Sequence, residues 1–234
     1  MTASDYRPDT REQKFLKYHE SLRNELNTAN WHFTAYTCLV ELGKDYGEEL
    51  GVAPAFFGLT IRAHQLETTM RLCRCLDKRK DSANIHRMLD YVEANIGMFD
   101  KRAFRRRIEG KFDEEMVEDI LREQSQMTLT RIQEQRKRIE ALPKANLVEQ
   151  RNKALAHADE KMVLAGVDVF KKYPVQVADV KVIINTLDEI LNEYSVAYDS
   201  SGWVKDLPLE YGIKEIVDSI RFKQHEEKKR WGLS

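Results

Sequence analysis

Long stretches without glycine or proline constrain this chain more than any single motif. Only 10 glycines and 5 prolines interrupt 234 residues. A sheet protein needs frequent turns, and those two residues supply most of them. Long helices are the reading that needs fewest breaks. The charged fraction of 33% agrees, because a helix with one buried stripe leaves a wide solvated face. The length allows one large domain or two small ones.

The apolar spacing divides the chain into helices. Thr10 with Gln13 forms a candidate capping box. It opens a stripe of Phe15, Leu22, Leu26, Phe33, Tyr36 and Val40 that stops near Gly43 or Gly47. Trp31 and His32 lie off that stripe, toward a second surface. Pro54 starts a second helix, where a missing amide donor is harmless. Its residues Phe56, Leu59, Ala63, Leu66, Met70 and Cys73 alternate three-four spacing up to a stop at Asp77. This is the cleanest stripe in the chain and suits a near-antiparallel neighbour. Ser82 is the candidate cap of a third helix carrying Ile85, Met88, Leu89, Val92 and Ile96, with Gly97 as its stop.

Residues 113–142 carry only a thin stripe of Met116, Ile120, Met127, Ile132 and Ile139. They predict a protruding helical arm or a helix packed on one side, broken at Pro143. Leu147, Arg151, Ala154, Leu155 and Ala158 share a face of the next helix. Val180, Ile183, Ile184, Leu187, Leu191, Tyr194 and Tyr198 make a strong core stripe, and Ser200-Ser201-Gly202 is a hinge. A last helix from about Pro208 carries Ile213, Ile216, Val217 and Ile220. The expected fold is all-α: an antiparallel helical bundle over residues 10–200, with a helical excursion at about 100–142 and an extra C-terminal helix in 201–234.

Charge and cysteine usage narrow the function. With 38 basic and 39 acidic residues the net charge is −1, so the chain is no general polyanion binder and any nucleic-acid contact needs a local patch. One candidate is Lys101, Arg102, Arg105, Arg106, Arg107 and Lys111, with Phe104, Ile108 and Phe112 at four-residue intervals. It reads either as the solvated face of an amphipathic helix or as a phosphate-contacting surface. Three cysteines are too few and too odd for a disulfide framework, and Cys73 and Cys75 read as buried free thiols. No apolar signal segment and no membrane-length run occurs, so a cytoplasmic protein is expected. No glycine-rich phosphate loop, nucleophile elbow or metal-ligand histidine spacing is found, so no cofactor or metal is expected.

Chemistry and packing coincide in Arg151-Asn152-Lys153-Ala154-Leu155-Ala156-His157-Ala158-Asp159. On an ideal helix His157 lies about 120° around the axis from Arg151. The two converge only if the helix loosens near His157 or if two copies meet across a twofold axis. Small residues around His157 permit close approach. Histidine gives and takes protons near neutral pH, and arginine is a permanent donor for phosphate oxygens. Together they are equipped for metal-independent RNA cleavage, with Asn152 orienting the imidazole or binding phosphate.

These nine residues resemble the arginine-polar…histidine motif of the HEPN superfamily. The fuller pattern, with Arg-Asn-Lys before Ala-His and Asp two residues on, is similar to the AbiU2-like branch linked to phage abortive infection. The long first helix with Trp31, the second helix ending Leu76-Asp77-Lys78, and a late helix introduced by Tyr173-Pro174 follow in the same order. The likeness spans roughly residues 10–200, without the 100–142 stretch. It implies a helical bundle that dimerises with the two motifs facing each other, acting as an endoribonuclease in a defence or toxin–antitoxin system. Arg151 and His157 would take the catalytic positions and Asn152 the polar one. Lys153 and Asp159 match the branch pattern, and Lys153 joins the basic cluster as a candidate RNA contact. RNA, a second copy and an antitoxin or defence-system protein are the implied partners. Some HEPN proteins only bind nucleic acid, nucleotides or proteins, so a non-catalytic binding module is the alternative. A helical scaffold is the third reading. Cleavage lost in His157→Ala marks the first, and salt-sensitive binding without cleavage marks the second.

Overall fold

The computed structural model describes residues 6–124, 126–155, 160–202 and 209–231. It is a bundle of helices. Among the described residues there is no β-strand, only an isolated bridge between Glu109 and Phe112. The helices in chain order are α1 (Thr10–Asp45), α2 (Gly47–Leu50), α3 (Pro54–Leu76), α4 (Ile85–Ala94), α5 (Lys101–Ile108), α6 (Glu114–Glu123), α7 (Leu129–Glu140), α8 (Ala145–Gln150), α9 (Glu160–Leu164), α10 (Val169–Lys172), α11 (Val177–Asp199) and α12 (Leu209–Arg230). A 3-10 turn (Ile96–Phe99) precedes α5, and a π-helical turn (Arg151–Leu155) follows α8. The contacts divide the chain into two compact units, Met1–Leu26 with Leu72–Val204 and Asn27–Arg71 with Lys205–Ser234.

The first unit is organised on α11. Its stripe of Val180, Ile183, Ile184, Leu187, Leu191, Tyr194 and Tyr198 is buried throughout, as its spacing requires. Phe15 of α1 packs edge-on to Phe99 at 5.2 Å and beside Tyr198 at 5.3 Å. Burying each such ring contributes about 1.5–3 kcal/mol. Residues 113–142 are not one arm but two helices, α6 and α7, joined through Met127, which is buried. α7 packs one-sidedly against α4 and α11 through Ile132, Gln135 and Ile139. Gln135 is held from both ends: its oxygen accepts from Tyr194 at 2.6 Å and its nitrogen donates to Glu193 at 2.7 Å.

Several caps differ from the sequence expectation by one or two residues. α1 is capped by Asp9, whose carboxylate accepts the amides of Arg11 and Glu12, while Glu12 reaches back to the Asp9 amide at 2.8 Å. The reciprocal box is therefore Asp9–Glu12 and not Thr10–Gln13. Asn84, not Ser82, caps α4 by accepting from the Arg87 amide at 2.9 Å. Gly97 lies inside the 3-10 turn. Gly110 takes a positive φ of 84°, the conformation that lets the chain reverse between α5 and α6. Phe112 lies beyond that reversal and off the α5 stripe.

In the second unit Phe33 and Leu39 of α1 are buried, as is Val217 of α12. Arg221 of α12 bonds Glu49 at 2.5 Å and stacks on Tyr46 at 3.8 Å, and Tyr46 donates to Asp218 at 2.8 Å. The α3 stripe is a correction to the sequence reading. Its first half stands on the surface, with Phe56 63% and Leu59 70% exposed, and only Cys73 of the six stripe residues is fully buried. Phe56, Phe57, Ile213 and Ile216 line an apolar groove there.

Candidate functional site

The site is built where α8 meets the end of α3. Two amides pin α8: Asn146 donates to the Pro174 carbonyl and Gln150 to the Tyr173 carbonyl, each at 2.7 Å. Leu147 is buried, and its carbonyl accepts from the Cys73 thiol at 3.7 Å. α8 then passes straight into the π-helical turn that begins at Arg151. A π turn places five residues where an α-helix places about four, so the angular spacing drawn from 3.6 residues per turn does not hold here. Such turns recur at functional sites.

Arg151 is half-buried. Its Nη1 lies 3.9 Å from Asp77 Oδ2, just past the end of α3. Among the described residues its Nε is buried without a hydrogen-bond partner. Asp77 is itself fixed by Arg79, through the amide at 3.1 Å and Nε at 2.9 Å. Burial alone would raise the Asp77 pKa. The hydrogen bonds from Arg79 and the fields of Arg151 and Arg79 outweigh it, so the carboxylate titrates below its usual range. Burial pushes the Cys73 thiol up to about 12, with Arg151 pulling against it. The thiol therefore stays protonated and is no nucleophile. Asn152 is exposed, and Lys153 is half-buried with its ammonium 3.6 Å from Glu149. His157 lies outside the described residues, as do Ala156, Ala158 and Asp159.

The basic cluster is carried by another element. α5 is capped by Asp100 and packs against α6 and α11. Lys101, Arg102 and Arg106 are exposed on it. Arg105 is engaged by acids, 2.6 Å from Glu118, bonded to Glu114 and 3.6 Å from Glu109. Arg107 is no surface contact: it is 1% exposed. Its guanidinium bonds Glu12 at 2.7 Å, the Tyr198 carbonyl at 2.9 Å and the Met98 carbonyl, and lies 4.0 Å over the Tyr198 ring. Arg107 falls in register with Ala103, Phe104 and Ile108, all buried, which was a legible sign of its burial.

Two features escaped the sequence reading. One is the pairing of Asp77 with Arg151: the sequence marks Asp77 only as a helix end, and nothing local marks it as the neighbour of Arg151. The other is a histidine pair in the second unit, where His32 and His64 bring their Nδ1 atoms to 2.8 Å. Among the described residues no group of three or more His, Cys, Asp or Glu side chains could hold a metal ion. No described helix is long and apolar enough to cross a membrane. The family model described as AbiU2, of the HEPN type, matches residues 12–217. No curated protein and no solved structure matches the chain.

Proposed function

The chain belongs to the AbiU2 family of HEPN domains, and from that premise we propose that it is a metal-independent endoribonuclease serving abortive infection or a toxin–antitoxin system. The observation that carries the reading is Arg151: a half-buried guanidinium at the head of a π-helical turn, in the Arg-Asn-Lys…His segment, with a carboxylate near one end and a buried Nε that has no partner among the described residues. In the proposed reaction a base takes the proton of the ribose 2′-hydroxyl, and the 2′-oxygen attacks the adjacent phosphorus. The bond to the 5′-oxygen breaks, and that oxygen receives a proton. The products are a 2′,3′-cyclic phosphate and a 5′-hydroxyl end. His157 carries a proton in this exchange, Arg151 stabilises the charge gathered on the phosphorane oxygens, and Asn152 orients phosphate or imidazole. The active form is a homodimer, with the motif of each copy facing the other.

Purified wild type and His157→Ala, incubated with cellular RNA in EDTA, test the reading through the fragment ends. It expects cyclic phosphate ends from wild type alone. Equal cutting by the variant would remove His157 from the chemistry. A second reading, a non-catalytic module that binds RNA or a partner protein, draws on the exposed Lys101, Arg102 and Arg106 of α5. It expects RNA binding that weakens steeply with salt, without cleavage.

A further inference from the structure

We propose that Asp77 is a positioning residue for Arg151, holding the guanidinium by charge in a pair that itself takes up none of the donors a phosphodiester would use. The inference rests on the ribonuclease reading of the Arg151 site. At 3.9 Å the Asp77 Oδ2–Arg151 Nη1 pair attracts strongly but is too long for a hydrogen bond. The carboxylate is hydrogen-bonded to Arg79 instead: Oδ1 accepts its amide and Oδ2 its Nε. Its side chain is only 9% exposed, so its field reaches Arg151 with little screening.

A pair selected for stability would close to a forked, two-bond contact. Here Arg151 instead keeps a buried Nε with no acceptor among the described residues, an arrangement unfavourable for folding by itself. The two partners also sit on braced elements. Leu76 and Cys75 are buried immediately before Asp77, and α8 is tied to α3 through Cys73 and Leu147. A carboxylate on a fixed helix end thus sets where the guanidinium waits, and no hydrogen bond to Asp77 has to break for a phosphate oxygen to engage it. Cys73, protonated beside them, supplies an uncharged wall.

The test compares wild type, Asp77→Asn, Arg151→Lys and the double variant under single-turnover conditions in EDTA, with thermal melting to confirm folding. Asp77→Asn keeps the shape and one of the two acceptors for Arg79, while removing the charge. The expected result is a fall of about 10- to 100-fold in the saturating rate, with half-saturation changed less than about threefold. Adding Asp77→Asn to Arg151→Lys is expected to lower the rate no further. Full cutting by Asp77→Asn, or effects that multiply in the double variant, would overturn the proposal. If wild type cuts no RNA, the ribonuclease reading fails separately, and the NMR signal of the Arg151 Nε–H, identified by its loss in Arg151→Lys, still decides. A signal that shifts in Asp77→Asn supports the coupling; an unmoved signal overturns it.

Discussion

Arg106 and Arg107 adjoin in sequence and meet opposite environments. Arg106 is solvated, whereas Arg107 lies among Glu12, two backbone carbonyls and the Tyr198 ring. Replacing Arg107 by Met would strand Glu12 as a buried, uncompensated charge, a loss of about 3–5 kcal/mol. Arg106→Ala should stay within about 0.5 kcal/mol. Urea denaturation of both variants checks the contrast, and equal midpoints would refute it. The difference was readable from α5 alone, since Arg107 shares the face of Phe104 and Ile108. The neighbourhood of Arg151 was not readable. Its carboxylate comes from Asp77 at the far end of another helix, and no local spacing encodes that meeting.

Among the elements, legibility followed the strength of the apolar stripe. α11 was clear because every third or fourth residue is a large apolar side chain that has a partner in the core. The break between α6 and α7 was obscure because no glycine or proline marks it; Thr128, which caps α7 by accepting the Arg131 amide, was the available sign. The three-four stripe of α3 is a helix, as its spacing requires, but its first half is left exposed where a near-antiparallel neighbour was expected, since periodicity reports a common face and not what covers it. The π turn at Arg151 has no sequence signature at all. The start of α1 gives a direct check on the caps. Asp9→Ala removes the acceptor for two amides and should lower stability by about 0.5–2 kcal/mol. Thr10→Ala should change it by less than about 0.5 kcal/mol. The reverse order in a thermal melt would restore Thr10 as the cap.

For the molecule as a whole, four imidazoles set a common pH dependence. His19, His32, His64 and His86 all titrate below the ordinary histidine value, in each case chiefly because burial disfavours the charged ring. Their unfolded value is about 6.5. Between that value and the lower folded one the unfolded chain binds more protons, so acidification favours unfolding. Stability from these groups is fully present above about pH 6.5 and is lost as pH falls through the folded pKa values. Urea midpoints should therefore decline from pH 7 toward pH 5. A level or rising midpoint would contradict the burial of these rings.

The central claim is that Arg151 stabilises a phosphoryl transition state without metal. Cleavage of a defined RNA in excess EDTA, by wild type and by Arg151→Lys, tests it most directly. The account predicts 2′,3′-cyclic phosphate products from wild type and a rate lower by about 100-fold or more in the variant, because lysine keeps the charge but loses the planar donor fork. Unchanged cleavage by Arg151→Lys, or cleavage only when a divalent metal is restored, would contradict it.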